Sequence, residues 1–247
     1  MRALNISIVG ATGAVGAELI RRLEVSPIPV NRLRLLASRN SAGRQVRFRD
    51  EICFVEALDE IGDLETDIAF LCAGSAVSAE WGPRVAAQGA LVIDNSSTFR
   101  MDPDVPLVVP QINPSVLSHR SRPGIVANPN CTTIQLARAL RPPVTALDVH
   151  SEAVYLEFEK PVRLEQVHQL LARARCSTVC GRNSRRYPTP RFIINPEDVH
   201  VARVRVNSEN PRGLWLWVVA DNLQVGAALN ALLIAQLAIA NGLVGEK

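Results

Sequence analysis

Short apolar runs alternate with amphipathic stretches along the first half of the chain, and this alternation predicts strands and helices in turn. Leu4-Asn5-Ile6-Ser7-Ile8-Val9 reads as a buried strand, followed by a glycine-bearing turn and a helix over 15–24. The runs at 33–37, 67–72, 90–93 and 124–127 are nearly all apolar, as in strands covered on both faces. Between them, 78–89 reads as a helix ending at a glycine. This succession implies an α/β fold whose N-terminal part, residues 1–141, is a Rossmann-like parallel sheet flanked by helices.

The period changes after the proline kink Arg141-Pro142-Pro143. Polar and apolar residues alternate over 153–158 and 199–206, and over 214–220 they set Trp215 and Trp217 on one face with leucine and valine on the other. Strands with one wet face are expected there, with a helix over 161–174 between them. Residues 142–220 therefore form a smaller α+β domain of mostly antiparallel strands. A helix over 226–240, within 221–247, returns to pack on the first domain.

Composition narrows the class. Of 247 residues, 47% are hydrophobic, enough for a packed core and too many for a disordered chain. The net charge of +3 suits anionic small molecules and is too weak for a nucleic-acid or membrane surface. The apolar run 225–240 is interrupted by Asn230 and Gln236 and is too short to span a bilayer. The N-terminus runs straight into the first strand, leaving no room for a signal peptide, so a cytoplasmic location is expected. Cysteines 53, 72, 131, 176 and 180 are odd in number and scattered, which fits a reducing compartment. Cys176 and Cys180 lack a second Cys/His pair, so no metal site is expected.

Two local patterns carry chemistry. In Asn128-Pro129-Asn130-Cys131-Thr132-Thr133 a cysteine stands where a strand gives way to a helical pattern. Unpaired N–H groups and the helix dipole favour a thiolate there, the form that attacks carbonyls, and can hold the oxyanion that results. A buried cysteine packing as a small hydrophobe is the other reading, and the spacing alone leaves both open. The second pattern is Gly10-Ala11-Thr12-Gly13-Ala14-Val15-Gly16, between first strand and first helix. There Gly10, Thr12, Gly13, Ala14 and Val15 are placed to receive a pyrophosphate on the helix N-terminus. The second strand runs into Ser38-Arg39-Asn40-Ser41-Ala42-Gly43-Arg44, with two arginines and no acid to hold a ribose 2′-hydroxyl. Ser38, Arg39, Asn40 and Ser41 therefore suit a 2′-phosphate, and NADP is preferred over NAD.

Read together, these motifs resemble the aspartate-semialdehyde dehydrogenase family. The resemblance also draws on Ser41-Ala42-Gly43-Arg44, Phe70-Leu71-Cys72-Ala73-Gly74-Ser75, Asp94-Asn95-Ser96-Ser97-Thr98-Phe99-Arg100 and Val109-Pro110-Gln111-Ile112-Asn113. Further matches are His150-Ser151-Glu152-Ala153-Val154, Tyr187-Pro188-Thr189-Pro190, Asp221-Asn222-Leu223 and Gly226-Ala227-Ala228-Leu229-Asn230. It implies reversible phosphorylating oxidation of aspartate 4-semialdehyde through a thioester on Cys131. By the same pattern His150 is the general acid/base, Arg100 binds phosphate, Asn130 positions substrate, and Asn222 touches the nicotinamide end of the cofactor.

The chain also departs from that pattern. The family has a long block between the nucleophile's helix and the His-Ser motif, which bears a substrate-binding glutamine, a glutamate, a lysine and much of the dimer interface. Here Leu140 and His150 are ten positions apart. No arginine precedes His150 within Val144-Thr145-Ala146-Leu147-Asp148-Val149; Asn40 stands for an arginine of the 2′-phosphate loop, and Gln224 and Val225 stand for a basic pair. A weakened homodimer or a monomer is expected. Two alternatives remain: a catalytically weak or silent nucleotide-binding paralogue, and an N-acetyl-glutamyl-phosphate reductase, which shares the thioester mechanism.

Overall fold

The computed structural model describes residues 2–134, 150–173, 177–179, 199–220 and 227–245. The chain divides into two compact units, 1–130 with 227–247, and 131–226.

The first unit is built on strands β1 (Leu4–Val9), β2 (Val30–Ala37), β3 (Gln45–Phe48), β4 (Glu51–Ala57), β5 (Ile68–Leu71), β6 (Leu91–Asp94) and β7 (Ile125–Ala127). They form one sheet in the order β3-β4-β2-β1-β5-β6-β7, parallel except for the β3–β4 hairpin at one edge. Helices α1 (Ala14–Glu24), α2 (Ser75–Ala87) and the short α3 (Ser115–Ser118) belong to this unit, together with α5 (Asn230–Ala240).

Successive side chains leave a strand on opposite faces, and the core follows that period of two. Ile6, Ile8, Leu35, Ile68, Phe70 and Ile93 pack with Leu19 and Leu23 of α1 and with Ala231, Ile234, Ala235 and Ala238 of α5. Leu36, Ala69, Leu71 and Val92 on the other face pack with Trp81 and Val85 of α2. Helix α5 is apolar nearly all round because it lies inside a core, as the return of the C-terminal helix to the first domain requires. Among the described residues no helix is long and apolar enough to cross a membrane.

The second unit carries β8 (His150–Glu157), α4 (Leu164–Arg173), β9 (Ser177–Val179), β10 (Val199–Val206) and β11 (Gly213–Ala220). Its sheet has the order β8-β11-β10-β9, antiparallel except that β9 runs parallel to β10. Leu214, Leu216 and Val218 are buried while Trp215 and Trp217 are half-buried, as the alternation predicts.

Some element ends move. The second strand begins at Val30 rather than 33, α2 covers 75–87 rather than 78–89, and the helix over 226–240 is regular only from Asn230, after a π-helical turn at 227–229. Helical geometry starts at Cys131 itself. Strands β3, β4 and β9 had no counterpart in the hydropathy pattern.

Candidate functional site

The parallel strands end in register along one edge of the sheet. Ala57 pairs with Ala37, Leu36 with Val9, Val9 with Leu71, Leu71 with Asp94, and Asp94 with Ala127. The residues that follow these ends therefore stand in a row: Asp59, Arg39, Gly10, Cys72, Asn95 and Asn128. At about 4.8 Å between strands, six ends span roughly 24 Å. The order of strands reverses beside β1, and ligands of open parallel sheets bind at the carboxyl ends where that happens.

Gly10 begins the turn at this point. Its φ is +87°, and a Cβ there would come within 2.6 Å of the Cys72 backbone. Its N–H and that of Ala11 both donate to the carbonyl of Leu36, tucking the turn against the neighbouring strand. Gly16 allows the helix to pass close over that turn, since a Cβ would meet the Ala11 Cα at 2.8 Å. Gly13 caps α1 with no side-chain hydrogen bond, and Ala14 and Val15 open the helix behind it. The turn is thus backbone N–H at a helix start with no side chain in the way, a surface suited to a diphosphate. Thr12 Oγ1 donates to Ser41 Oγ at 3.4 Å, bringing the glycine turn and the 38–41 loop together.

That loop is a 3-10 turn, Arg39–Ser41, capped by Ser38 and including Asn40. The 38–44 segment has no acid of its own, and the structure brings acids to it from a neighbouring strand. Strand β4 lies beside β2, so the turn Leu58–Glu60 emerges alongside Arg39. Arg39 Nε donates to Asp59 Oδ2 at 2.5 Å, with Glu60 Oε1 at 3.5 Å. Arg39 therefore has acidic company, though both partners of the pair are more than half exposed.

At the far end of the row, Arg100 donates from Nε to the Asn128 carbonyl and from Nη2 to the Asn95 carbonyl, each at 3.0 Å. Asn128 is buried among amides that sequence reasoning did not single out, Asn95 and Asn230. Buried Asp94 accepts from Ser78 Oγ at 2.6 Å and from the N–H and hydroxyl of Ser96, fixing the β6 end from which Asn95 leaves. Asn130 closes the first unit by sequence, and Cys131 opens the helical residues 131–134 of the second. Cys131 is half-buried and outside any disulfide.

Burial pushes the Cys72 thiol up to about 12, against the opposing donation of the Asn95 amide, and burial followed by the charge of Glu51 raises that of Cys53. Both are poor nucleophiles. In the second unit, His150 is the first residue of β8 and stands opposite Ala220, two positions before Asn222. The side chain of His150, Asn222 itself, Cys176, Cys180 and the 140–149 junction lie outside the described residues. Among the described residues, no three His, Cys, Asp or Glu side chains are grouped to hold a metal ion.

Comparison with known proteins agrees with these features. Residues 5–120 match the family profile described as semialdehyde dehydrogenase, NAD binding domain, and 119–225 match the semialdehyde dehydrogenase dimerisation domain. An aspartate-semialdehyde dehydrogenase of Legionella pneumophila is 32% identical, with 96% of each chain covered. That alignment runs over 332 positions, well beyond the 247 residues here, so the relative carries a substantial stretch without a counterpart in this chain. A crystal structure of aspartate semialdehyde dehydrogenase II from Vibrio cholerae, complexed with ASA, superposes with a TM-score of 0.82 at 32% identity, covering 97% of this chain and 99% of the other. The Candida albicans enzyme, crystallised with NADP, shares the fold at a TM-score of 0.76 and 21% identity, over 98% of this chain and 100% of its own.

Proposed function

Because this chain belongs to the aspartate-semialdehyde dehydrogenase family, a family of oxidoreductases, we propose that it carries out the NADP-dependent, phosphorylating oxidation of aspartate 4-semialdehyde and its reverse. The observation that carries this reading is the Asn128-Pro129-Asn130-Cys131 run, which leaves the carboxyl edge of β7 in line with the glycine turn of β1. Gly10, Thr12, Gly13, Ala14 and Val15 hold the diphosphate of the cofactor, and Ser38, Arg39, Asn40 and Ser41 its 2′-phosphate. The adenosine end would then lie by β2 and the nicotinamide end toward β6 and β7; Asn222 is the residue proposed to touch the nicotinamide. The Candida albicans relative crystallised with NADP supports the choice of cofactor.

The Cys131 thiolate attacks the aldehyde carbon and forms a thiohemiacetal, with His150 moving the proton at its oxygen. Bound NADP would supply the hydride acceptor: loss of hydride from the thiohemiacetal carbon, with the hydroxyl proton passing to His150, leaves the thioester on Cys131. A phosphate oxygen held by Arg100 then attacks the thioester carbonyl; the C–S bond breaks, and Cys131 departs as thiolate, leaving 4-aspartyl phosphate. Asn130 orients the substrate. Guanidinium suits the phosphate because its planar fork matches two oxygens at once. The dimerisation-domain match supports a homodimer, weakened where the relatives' extra stretch is absent.

The test couples labelling with turnover. Near neutral pH iodoacetamide is expected to modify Cys131 well before Cys53 or Cys72, whose thiols are held protonated. NADP reduction with aspartate semialdehyde is expected to depend on phosphate and to vanish in Cys131→Ala. If Cys131 labels no faster than Cys53 and no turnover appears while NADP still binds, the nucleotide-binding paralogue becomes the correct reading. The length difference from the relatives favours that second reading.

A further inference from the structure

We propose that the side-chain amides of Asn95, Asn128 and Asn230 form a positioning chain that sets the guanidinium of Arg100, so that helix α5 controls oxyanion affinity without touching the anion. The inference rests on the reading of Arg100 as the phosphate ligand.

The three amides are joined head to tail. Asn230 Nδ2 donates to Asn128 Oδ1 at 2.6 Å and to the Val108 carbonyl at 2.9 Å. Asn128 Nδ2 donates to Asn95 Oδ1 at 2.7 Å and to the Ala227 carbonyl at 3.1 Å. Asn95 Nδ2 then donates to Cys72 Sγ at 3.3 Å. Turning over Asn128 or Asn230 would set oxygen against oxygen, and turning over Asn95 would set donor against donor, so one direction runs through all three. Asn128 and Asn230 are buried, and a broken link there leaves a polar group that water cannot reach.

The chain does more than fasten α5. Asn95 and Asn128, whose side chains bond each other, are also the two residues whose carbonyls receive Arg100. Those two acceptors fix the plane of the fork, and the amide link fixes the distance between the acceptors. The Asn128 N–H, donating to the Asp94 carbonyl at 2.8 Å, holds the same strand ends from behind. A guanidinium gripped on two backbone carbonyls turns when either strand end shifts, and small misplacements of a positioning group are costly.

The experiment measures inorganic phosphate binding by 31P NMR line broadening in the intact protein, with NADP affinity by calorimetry and the melting temperature beside it. Asn230→Ala, remote from Arg100, is expected to weaken phosphate binding about fivefold, the size of one hydrogen bond's net worth, with NADP affinity held. Asn95→Leu, similar in shape and without the amide, should do the same if Asn230→Ala fails to fold. In turnover the phosphate KM should rise while the aldehyde KM holds. Phosphate binding that depends on Arg100 but ignores both asparagine variants overturns the inference alone. A parallel loss of NADP and phosphate affinity makes the chain a structural tie and overturns it too. Phosphate binding that is absent, or indifferent to Arg100→Ala, overturns the assignment of Arg100 and this inference with it.

Discussion

Arg39 stands between two anions, the carboxylate of Asp59 that it bonds now and the 2′-phosphate it is proposed to meet. Exposed ion pairs contribute little, because water screens them and long side chains lose freedom in forming them. The Arg39–Asp59 pair is therefore weak enough to give way to a cofactor, yet it opposes binding while it lasts. Asp59→Asn is expected to tighten NADP about two- to fivefold, the range of an exposed pair, and to leave NAD nearly unchanged. Arg39→Ala should narrow the preference for NADP, since it removes a charge-assisted contact to the extra phosphate. Calorimetry with both cofactors decides, and an Asp59→Asn protein that binds NADP no better denies Asp59 this part. Asp59 was invisible in the sequence because twenty positions separate it from Arg39, and only the pairing of β2 with β4 closes that gap. The strand-to-helix settings of Cys131 and Gly10 were legible because each needs only its immediate neighbours, a strand before and a helix start after.

At the scale of elements, buried parallel strands declared themselves and edge strands did not. β1, β5 and β6 are four to six residues, nearly all buried, and their apolar runs coincide with their bounds within a residue or two. β4 shows Ile52 at 53% and Phe54 at 57% exposure, so its apolar residues do not mark a covered face, and β3 is only four residues long. β9, with three residues, is shorter than any period can reveal. The β2–β4 pairing also carries a bidentate bridge, Arg34 Nε and Nη2 to Glu56 at 2.9 and 2.7 Å. Hydrogen bonding to Arg34 holds the Glu56 carboxyl below its ordinary range against the effect of burial. A group depressed in the folded state adds stability above its unfolded pKa of about 4.3, and that share is lost as pH falls through the lower folded value. Arg34→Met should therefore melt below the parent at pH 7, with the two curves converging as pH drops under about 4. A gap that stays constant down to pH 3 would show that packing of the Arg34 stem, rather than the bridge, is what was lost.

The whole molecule is two units made in different ways: 131–226 is continuous, while the dinucleotide-type unit takes its α5 from beyond the other. The second unit leaves Phe158 at 43% and Leu170 at 57% exposure, beside a cavity of about 840 Å³ also lined by Leu156, Val167 and Leu216. Apolar surface of that kind supports self-association, and the residues around it fall within the dimerisation-domain match. Light scattering is expected to give a mass that rises from monomer toward dimer with concentration; a dimer that persists on dilution would contradict the weakened interface. The discontinuity has a further consequence, in the order of synthesis. Residues 1–130 leave the ribosome with one sheet face covered only in part, by α1, since Ala231, Ile234, Ala235 and Ala238 of its cover are encoded about a hundred residues later. At ordinary elongation rates that face waits roughly 5–20 s for its helix. The continuous unit, though second in the chain, is thus the first that can finish folding, and the nascent nucleotide-type sheet is the stretch that a ribosome-bound chaperone has reason to shield.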